Sequence, residues 1–276
     1  MPIITLTTDF GTGSPYVAAM KGVLLSLNPA ATLVDLTHEV PPQDVRCGAI
    51  VLEDVCDRFP PGTIHVAVVD PGVGTDRAIV FARIGRQSYL APDNGLLSRL
   101  ARRTPPAKII RLTQQEYWLH PVSATFHGRD VMAPVAARLS LGLDPDHLGE
   151  PAEKLVMLDW PEVRVLPDRI EGSILWIDPF GNLVTDVTAE LLAGWSRGRE
   201  PPDTLIWCRD RRIAGLSRTY GEQAGGSLIA LIGSSDRLEI AVVGGSAAAA
   251  LQAAVGEQVT IHGARPEGSR EYAEGP

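Results

Sequence analysis

Several carboxylates in this 276-residue chain stand where an apolar run stops, and Asp70 is the most telling of them. The strand-like run His65 to Val69 ends on Asp70, a proline and two glycines, Gly72 and Gly74, with Arg77 following closely. In open α/β sheets ligands collect in the crevice outside the carboxyl ends of strands, and glycines let the backbone approach whatever binds there. Asp70 is therefore a candidate catalytic carboxylate; the simpler alternative is a turn in which Asp and Gly only reverse the chain. Asp9 ends an earlier apolar run in the same way, and Asp93-Asn94 and Phe126-His-Gly-Arg-Asp130 place further polar groups where a strand ends or a helix begins. Carboxylates, a guanidinium and an imidazole that converge can orient a nucleophile and accept its proton.

Other chemistries find less support. Asp and His could hold a metal, but the chain has no HExxH, no HxH and no Cys/His cluster at ligand spacing. Gly72-Val-Gly74 invites a phosphate-cradling reading, yet the Walker pattern and the third glycine of a dinucleotide fingerprint are both missing. There is no GxSxG nucleophile elbow. His38-Glu39, ahead of Pro41-Pro42, is either catalytic or a loop that caps the helix starting near Asp44, and capping is the simpler reading. Cys47, Cys56 and Cys208 form no CxxC pair and leave an odd thiol, which fits a reducing compartment. Cys47 and Cys56 lie in a periodic apolar stretch and read as small buried hydrophobes.

The elements that must position these residues alternate. Ile3 to Thr7, Thr32 to Leu36 and Ile64 to Val69 read as strands, with helices over Tyr16 to Leu27 and Asp44 to Arg58 between them, the pattern of a parallel sheet. Ala78 to Ile84 and Gln87 to Pro92 read as strands about Gly85-Arg86, followed by helices over Leu96 to Arg102 and Val131 to Leu141. Gly149 to Arg169 is rich in proline and charge and makes the best linker. Beyond it Gly172 to Ile177, Thr204 to Trp207, Ser227 to Ile232 and Arg237 to Val242 are short strands divided by turns, a small all-β domain. Ala247 to Ala250 reads as part of a small helix. The expected organisation is a domain over 1–150, a linker over 151–170, a second domain over 171–263 and a disordered tail over 264–276.

With 45% hydrophobic residues the chain can bury a sizeable core. A net charge of −8 argues against a nucleic-acid partner. Residues 1–20 carry neither a signal-peptide pattern nor a span of about 20 apolar residues, so no membrane partner is expected and a cytoplasmic protein is.

Eight motifs, in order, resemble one family. They are Thr7-Thr-Asp-Phe-Gly11, Tyr16-Val-Ala-Ala-Met-Lys-Gly22, Thr37-His-Glu-Val-Pro-Pro-Gln-Asp44, Val69-Asp-Pro-Gly-Val-Gly-Thr75, Ala91-Pro-Asp-Asn-Gly-Leu96, Thr125-Phe-His-Gly-Arg-Asp130, Ile177-Asp-Pro-Phe-Gly-Asn182, and Ser234-Ser235 through Leu238-Glu-Ile-Ala241. Together they cover about residues 3 to 246 and resemble the S-adenosyl-L-methionine hydroxide adenosyltransferases, relatives of fluorinase and chlorinase. The resemblance implies an N-terminal α/β domain with a mainly parallel sheet, joined to a small β-barrel-like domain. It also implies hydrolysis of S-adenosyl-L-methionine to adenosine and methionine by water attacking ribose C5′, in a homotrimer whose sites lie between subunits; with no metal-ligand cluster in the sequence, no metal is expected, and no cofactor. The alternatives are a nucleoside-binding or sensing module without turnover, which would not need Asp70, Arg77 and His127 together, and a halogenase.

By the same resemblance, Asp70, Arg77 and His127 orient and activate the water, with the base being either Asp70 or His127. Asp9 accepts the ribose hydroxyls, Asp178 and Ser234 hold the methionine end with Ser235 nearby, Asn182 and the backbone at Val242 meet the adenine, and Phe126 and Phe180 supply apolar walls. Fluorinases carry a tyrosine in place of Asp70 and a serine in place of Gly128. A carboxylate facing the nucleophile would repel halide. The chain departs from the family at Asp186 and Val243, where asparagine is usual.

Overall fold

The computed structural model describes residues 2–195 and 204–263, and the tail expected over 264–276 lies outside them. The chain divides into two compact units, residues 1–159 and 160–276.

The first unit is built on strands β1 (Ile3–Thr8), β2 (Thr32–Thr37), β3 (Ile64–Val68), β4 (Ile79–Ile84), β5 (Gln87–Pro92), β6 (Lys108–Leu112) and β7 (Gly149–Pro151), in the order β2-β1-β3-β5-β4-β6-β7. The pairs β1–β2, β1–β3 and β3–β5 are parallel, whereas β4 pairs antiparallel with β5 and β6. The sheet is therefore mixed: the tight Gly85-Arg86 turn leaves no room for a crossover and folds β5 back against β4.

Strand alternation divides the core. Ile4, Leu6, Val66 and Val68 face helices α1 (Pro15–Leu27) and α4 (Ala133–Ser140), through Met20, Leu24, Val135 and Ala136. Ala67, Val69, Val80 and Ala82 face the opposite layer, helices α2 (Val45–Val55) and α3 (Ser98–Arg103), through Leu52 and Leu100. α2 stops short of the expected Arg58 and passes into a 3₁₀ turn, Cys56–Arg58. α4 is preceded by a π-helical turn, Gly128–Met132, and such turns recur at functional sites.

The second unit consists of β8 (Arg164–Val165), β9 (Arg169–Ile177), β10 (Leu183–Thr188), β11 (Thr204–Cys208), β12 (Arg211–Ala214), β13 (Leu228–Ile232), β14 (Arg237–Val242) and β15 (Gln258–Gly263), with short helices α5 (Ala189–Trp195) and α6 (Ala247–Leu251). The antiparallel path runs β12-β11-β15-β9-β10-β14-β13, with β8 beside β9. Ser217, just after β12, donates from its amide to Ala230 of β13 at 2.8 Å, which brings the two ends of the sheet together as in a barrel. Ile170, Ile174, Leu183, Ile206, Leu238, Ile240 and Ile261 fill its interior. Leu155 packs in the core of the first unit and Val163 against that of the second. Among the described residues no helix is long and apolar enough to cross a membrane.

The loop after β3 is fixed by close backbone packing. Gly74 has φ +81°, and a Cβ there would lie 2.5 Å from the carbonyl oxygen of Ala124. Gly74→Ala should therefore destabilise the protein by about 1–3 kcal/mol, read as a lower urea midpoint; an unchanged midpoint would show that the two loops do not pack this tightly.

Candidate active site

The parallel half of the first sheet brings the carboxyl ends of β1, β2, β3 and β5 to one edge. Asp9 follows β1, and Val69-Asp70 follow β3. Asn94, after β5, anchors this edge: its side-chain amide donates to the Val69 carbonyl at 2.8 Å, and its own carbonyl accepts from the Leu96 amide. Asp93 is turned away, accepting from Val156 N at 2.8 Å, and burial pushes its carboxyl up.

Arg77 binds the Asp70 carboxylate through Nε, at 2.9 and 3.0 Å to its two oxygens, and through Nη2 to Oδ2. The same Nη2 lies 2.9 Å from Nδ1 of His127. A guanidinium only donates, so Nδ1 accepts and the neutral ring carries its hydrogen on Nε2. Burial, together with the Arg77 charge, holds the His127 imidazolium below its ordinary range, against the opposing pull of Asp70 and Asp130. The Asp70 and Arg77 side chains are only 5% and 11% exposed, so their attraction is weakly screened.

Asp70, His127 and Asp9 line one cavity of about 380 Å³, together with Phe126, Gly128 and Gln43. Phe10, Tyr16 and Phe126 form an edge-to-face cluster in its wall, with centroids 5.3–5.9 Å apart. Arg129 lies 4.8 Å over the Phe126 ring while chelating Asp130, whose Oδ2 also accepts from Ser123 N. Asp9 Oδ2 accepts from the amide of Gln43, a residue held at φ +66°. Gly128 backs onto the core: a Cβ there would stand 3.2 Å from Met20 Sδ and 3.4 Å from Val68 Cγ2.

The second unit carries a separate cavity of about 640 Å³, lined by Asp178, Phe180, Asn182, Ser234 and Val242 as well as Tyr220 and Glu239. Asp178 accepts from the amides of Phe180 and Asn182 and, at 2.9 Å, from the Asn182 side chain. Phe180 is 79% exposed. Ser235 shares the turn of Ser234 but is not among the lining residues. Glu239 is buried on β14 and accepts from Tyr220 Oη at 2.9 Å. Burial and the neighbouring Asp178 push the Glu239 carboxyl up, against the Tyr220 hydrogen bond, and burial beside these acids pushes the Tyr220 phenol up to about 12.

Sequence reading gave no site role to Gln43, Tyr16, Phe10, Tyr220 or Glu239. Glu239 carried a usable signal, an acid between Leu238 and Ile240 in an otherwise apolar strand. His38 caps no helix: Asp44 does so, accepting from Cys47 N at 2.9 Å, while His38 is buried beneath the Asp9 loop. Asp186 is taken up by Ser173, which donates to it from both N and Oγ at 2.7 Å, and Val243 packs with Ile229, Leu231 and Ala241. Neither lines the cavity. Cys47 is half-buried, and Cys56 and Cys208 are buried; burial raises their thiols to about 11, 12 and 11.

The model of the SAM hydroxide adenosyltransferase N-terminal domain matches residues 4–149, and that of the C-terminal domain matches residues 172–260. The chain belongs to this family. It is similar to the (R)-S-adenosyl-L-methionine hydrolase of Thermus thermophilus, at 40% identity over 88% of this chain and 93% of that protein. The protein of the same name from Salinispora tropica is 38% identical over 94% of this chain and 97% of its own length. A crystal structure of an uncharacterized conserved protein from Thermotoga maritima superposes with a TM-score of 0.88 at 33% identity, covering 95% of this chain and 100% of that one.

The shared guanidinium makes a prediction for His127. In an NMR titration its imidazole should have a midpoint below the ordinary histidine value of 6.5, and Arg77→Met, which removes the cation and leaves Asp70, should move it upward. A midpoint at or above that value in the unaltered protein would break the proposed contact.

Proposed function

We propose that this protein hydrolyses S-adenosyl-L-methionine to adenosine and L-methionine, with water displacing the thioether at ribose C5′. The observation that carries this reading is the Asp70–Arg77–His127 constellation, whose Asp70 and His127 line an aromatic-walled cavity that also presents Asp9. Family membership and relatives named (R)-S-adenosyl-L-methionine hydrolase support it, and the (R) sulfonium is accordingly the diastereomer to test first.

The reaction asks little of acid catalysis, because a sulfonium leaves as a neutral thioether. Water forms a C5′–O bond as the C5′–S bond breaks, the electron pair leaves on sulfur, and one proton departs from the attacking oxygen. The task is to orient and deprotonate one water. His127, neutral with its hydrogen on Nε2, is set up to donate, so Asp70 is the group left to accept the proton. Arg77 holds Asp70 in place through charge-assisted hydrogen bonds to both of its oxygens. An ionised carboxylate at this position also disfavours halide as the nucleophile.

Binding divides between the two cavities. Asp9 takes the ribose hydroxyls while Gln43 N holds its Oδ2, and Phe126 meets the apolar face of the ligand. In the second unit Asn182 and the Val242 backbone meet the adenine, and Phe180 stacks on it. That cavity is lined by two carboxylates, Asp178 and Glu239, and by no Lys, Arg or His among the described residues, a lining suited to the methionine ammonium, with Ser234, and Ser235 beside it, at the carboxylate. In this reading the protein works without cofactor or metal, as a homotrimer that joins the first unit of one subunit to the second of its neighbour.

Three outcomes are expected. In H₂¹⁸O, label should enter the 5′-hydroxyl of adenosine, at the same rate with excess chelator; label in methionine, or loss of activity that a divalent ion restores, would overturn the scheme. Asp70→Asn should lower kcat by about 10² or more with a modest change in KM, and wild-type turnover would remove Asp70 from the chemistry. Mixed after subunit exchange, inactive Asp70→Asn and Asp178→Ala chains should recover activity, because some interfaces then pair two intact halves; an active monomer in sedimentation would place both halves in one chain.

A further inference from the structure

His38 is the one histidine in the first unit that is both buried and set against the segment carrying Asp9, yet it does not line the cavity. Its Nδ1 lies 2.9 Å from Thr8 Oγ1, the side chain immediately before Asp9. Thr8 is fully buried, and the same Oγ1 accepts from the amide of Phe10, immediately after Asp9, at 3.2 Å. The His38 carbonyl accepts from Gly11 N at 2.8 Å, and Glu39 accepts from Thr12 N at 2.9 Å. Asp9 is thus held from both sides, with its own carboxylate pinned by Gln43 N.

On the far side of the ring, Nε2 stands 3.0 Å from Asp35 Oδ1, and the other Asp35 oxygen meets Lys21 of α1 at 2.6 Å. Lys21, Asp35, His38 and Thr8 therefore run in series from α1 across the end of β2 to the end of β1. Burial pushes the Asp35 carboxyl up, but Lys21 and His38 outweigh it and hold the carboxyl below its ordinary value. The 2.9 Å link between Nδ1 and Thr8 Oγ1 fixes the threonine hydroxyl, and in either ring tautomer Oγ1 keeps a lone pair for Phe10 N. The inner part of this series, His38 and Thr8, is buried, and a buried, paired polar link fixes the backbone on either side of Asp9.

We infer that His38 is a positioning residue, which orients Asp9 toward the ribose hydroxyls of the substrate through the Thr8 hydroxyl. This rests on the proposed role of Asp9. Asparagine can place its amide near where Nδ1 stands and so restore the Thr8 link; glutamine reaches toward Asp35 instead. The two variants thus separate a link that serves Asp9 from one that merely fills the core.

The test is calorimetric titration of His38→Asn, His38→Gln and Thr8→Val with adenosine and with 2′,3′-dideoxyadenosine, alongside steady-state kinetics. His38→Gln and Thr8→Val should weaken adenosine binding by about tenfold and raise KM with little loss of kcat. His38→Asn should stay near wild type. All three should bind the dideoxy compound as the unaltered protein does, because it lacks the hydroxyls that Asp9 meets. Equal weakening for both nucleosides, or an Asn variant no better than Gln, would overturn the inference and leave His38 a packing residue. Adenosine that bound the unaltered protein no better than the dideoxy compound would instead overturn the role of Asp9, and the inference with it.

Discussion

The site of the first unit depends on one guanidinium shared between a carboxylate and an imidazole. Arg77 spends its Nε and Nη2 on Asp70 and directs Nη2 at His127 as well. Because it can only donate, both partners must accept from it, and the free nitrogen of a neutral His127 bears the hydrogen. Lysine could neutralise Asp70 but offers no rigid fork to reach two acceptors at fixed angles. The scaffold follows from this need, since β3 delivers Asp70, the glycine-bearing loop brings Arg77 back over it, and the π-helical turn at Gly128–Met132 sets His127 beside both.

Much of this was legible in the sequence, because strand ends announce themselves. Ile64–Val68 is an apolar run broken only by His65 and followed by Val69, Asp, Pro and Gly, and a buried parallel strand leaves that mark. The antiparallel turn of β4 and β5 was legible as Gly85-Arg86, although its effect on the sheet as a whole was not. β6 was missed: its Lys108 and Arg111 mask a strand that buries only Ile109, Ile110 and Leu112. The motifs drew attention to Asp9 and Asp178, but what holds them is mostly backbone, the amides of Gln43, Phe180 and Asn182, and amides carry no sequence signature. Glu239 and Tyr220 lie 19 positions apart, and only the closed sheet makes them neighbours.

The two cavities divide their labour by charge. The first sets its carboxylates against a guanidinium and aromatic rings. The second gathers Asp178 and Glu239 without a lining cation among the described residues and leaves Glu239 with a raised carboxyl. A cationic ligand entering there would relieve the repulsion between the two acids, so the stability of that unit and its occupancy are linked.

Gly128 gives the first cavity a floor set directly on the core. Directly behind it lie Met20 Sδ and Val68 Cγ2, both part of the packed layer between the sheet and α1. The space at this end of the cavity is thereby tied to the foundation of the domain, since a side chain at this position must push core atoms aside to fit. A redesign of this part of the cavity has to begin at Met20, inside the fold, and work outward, and tolerance at this spot is set by how far the methionine can yield.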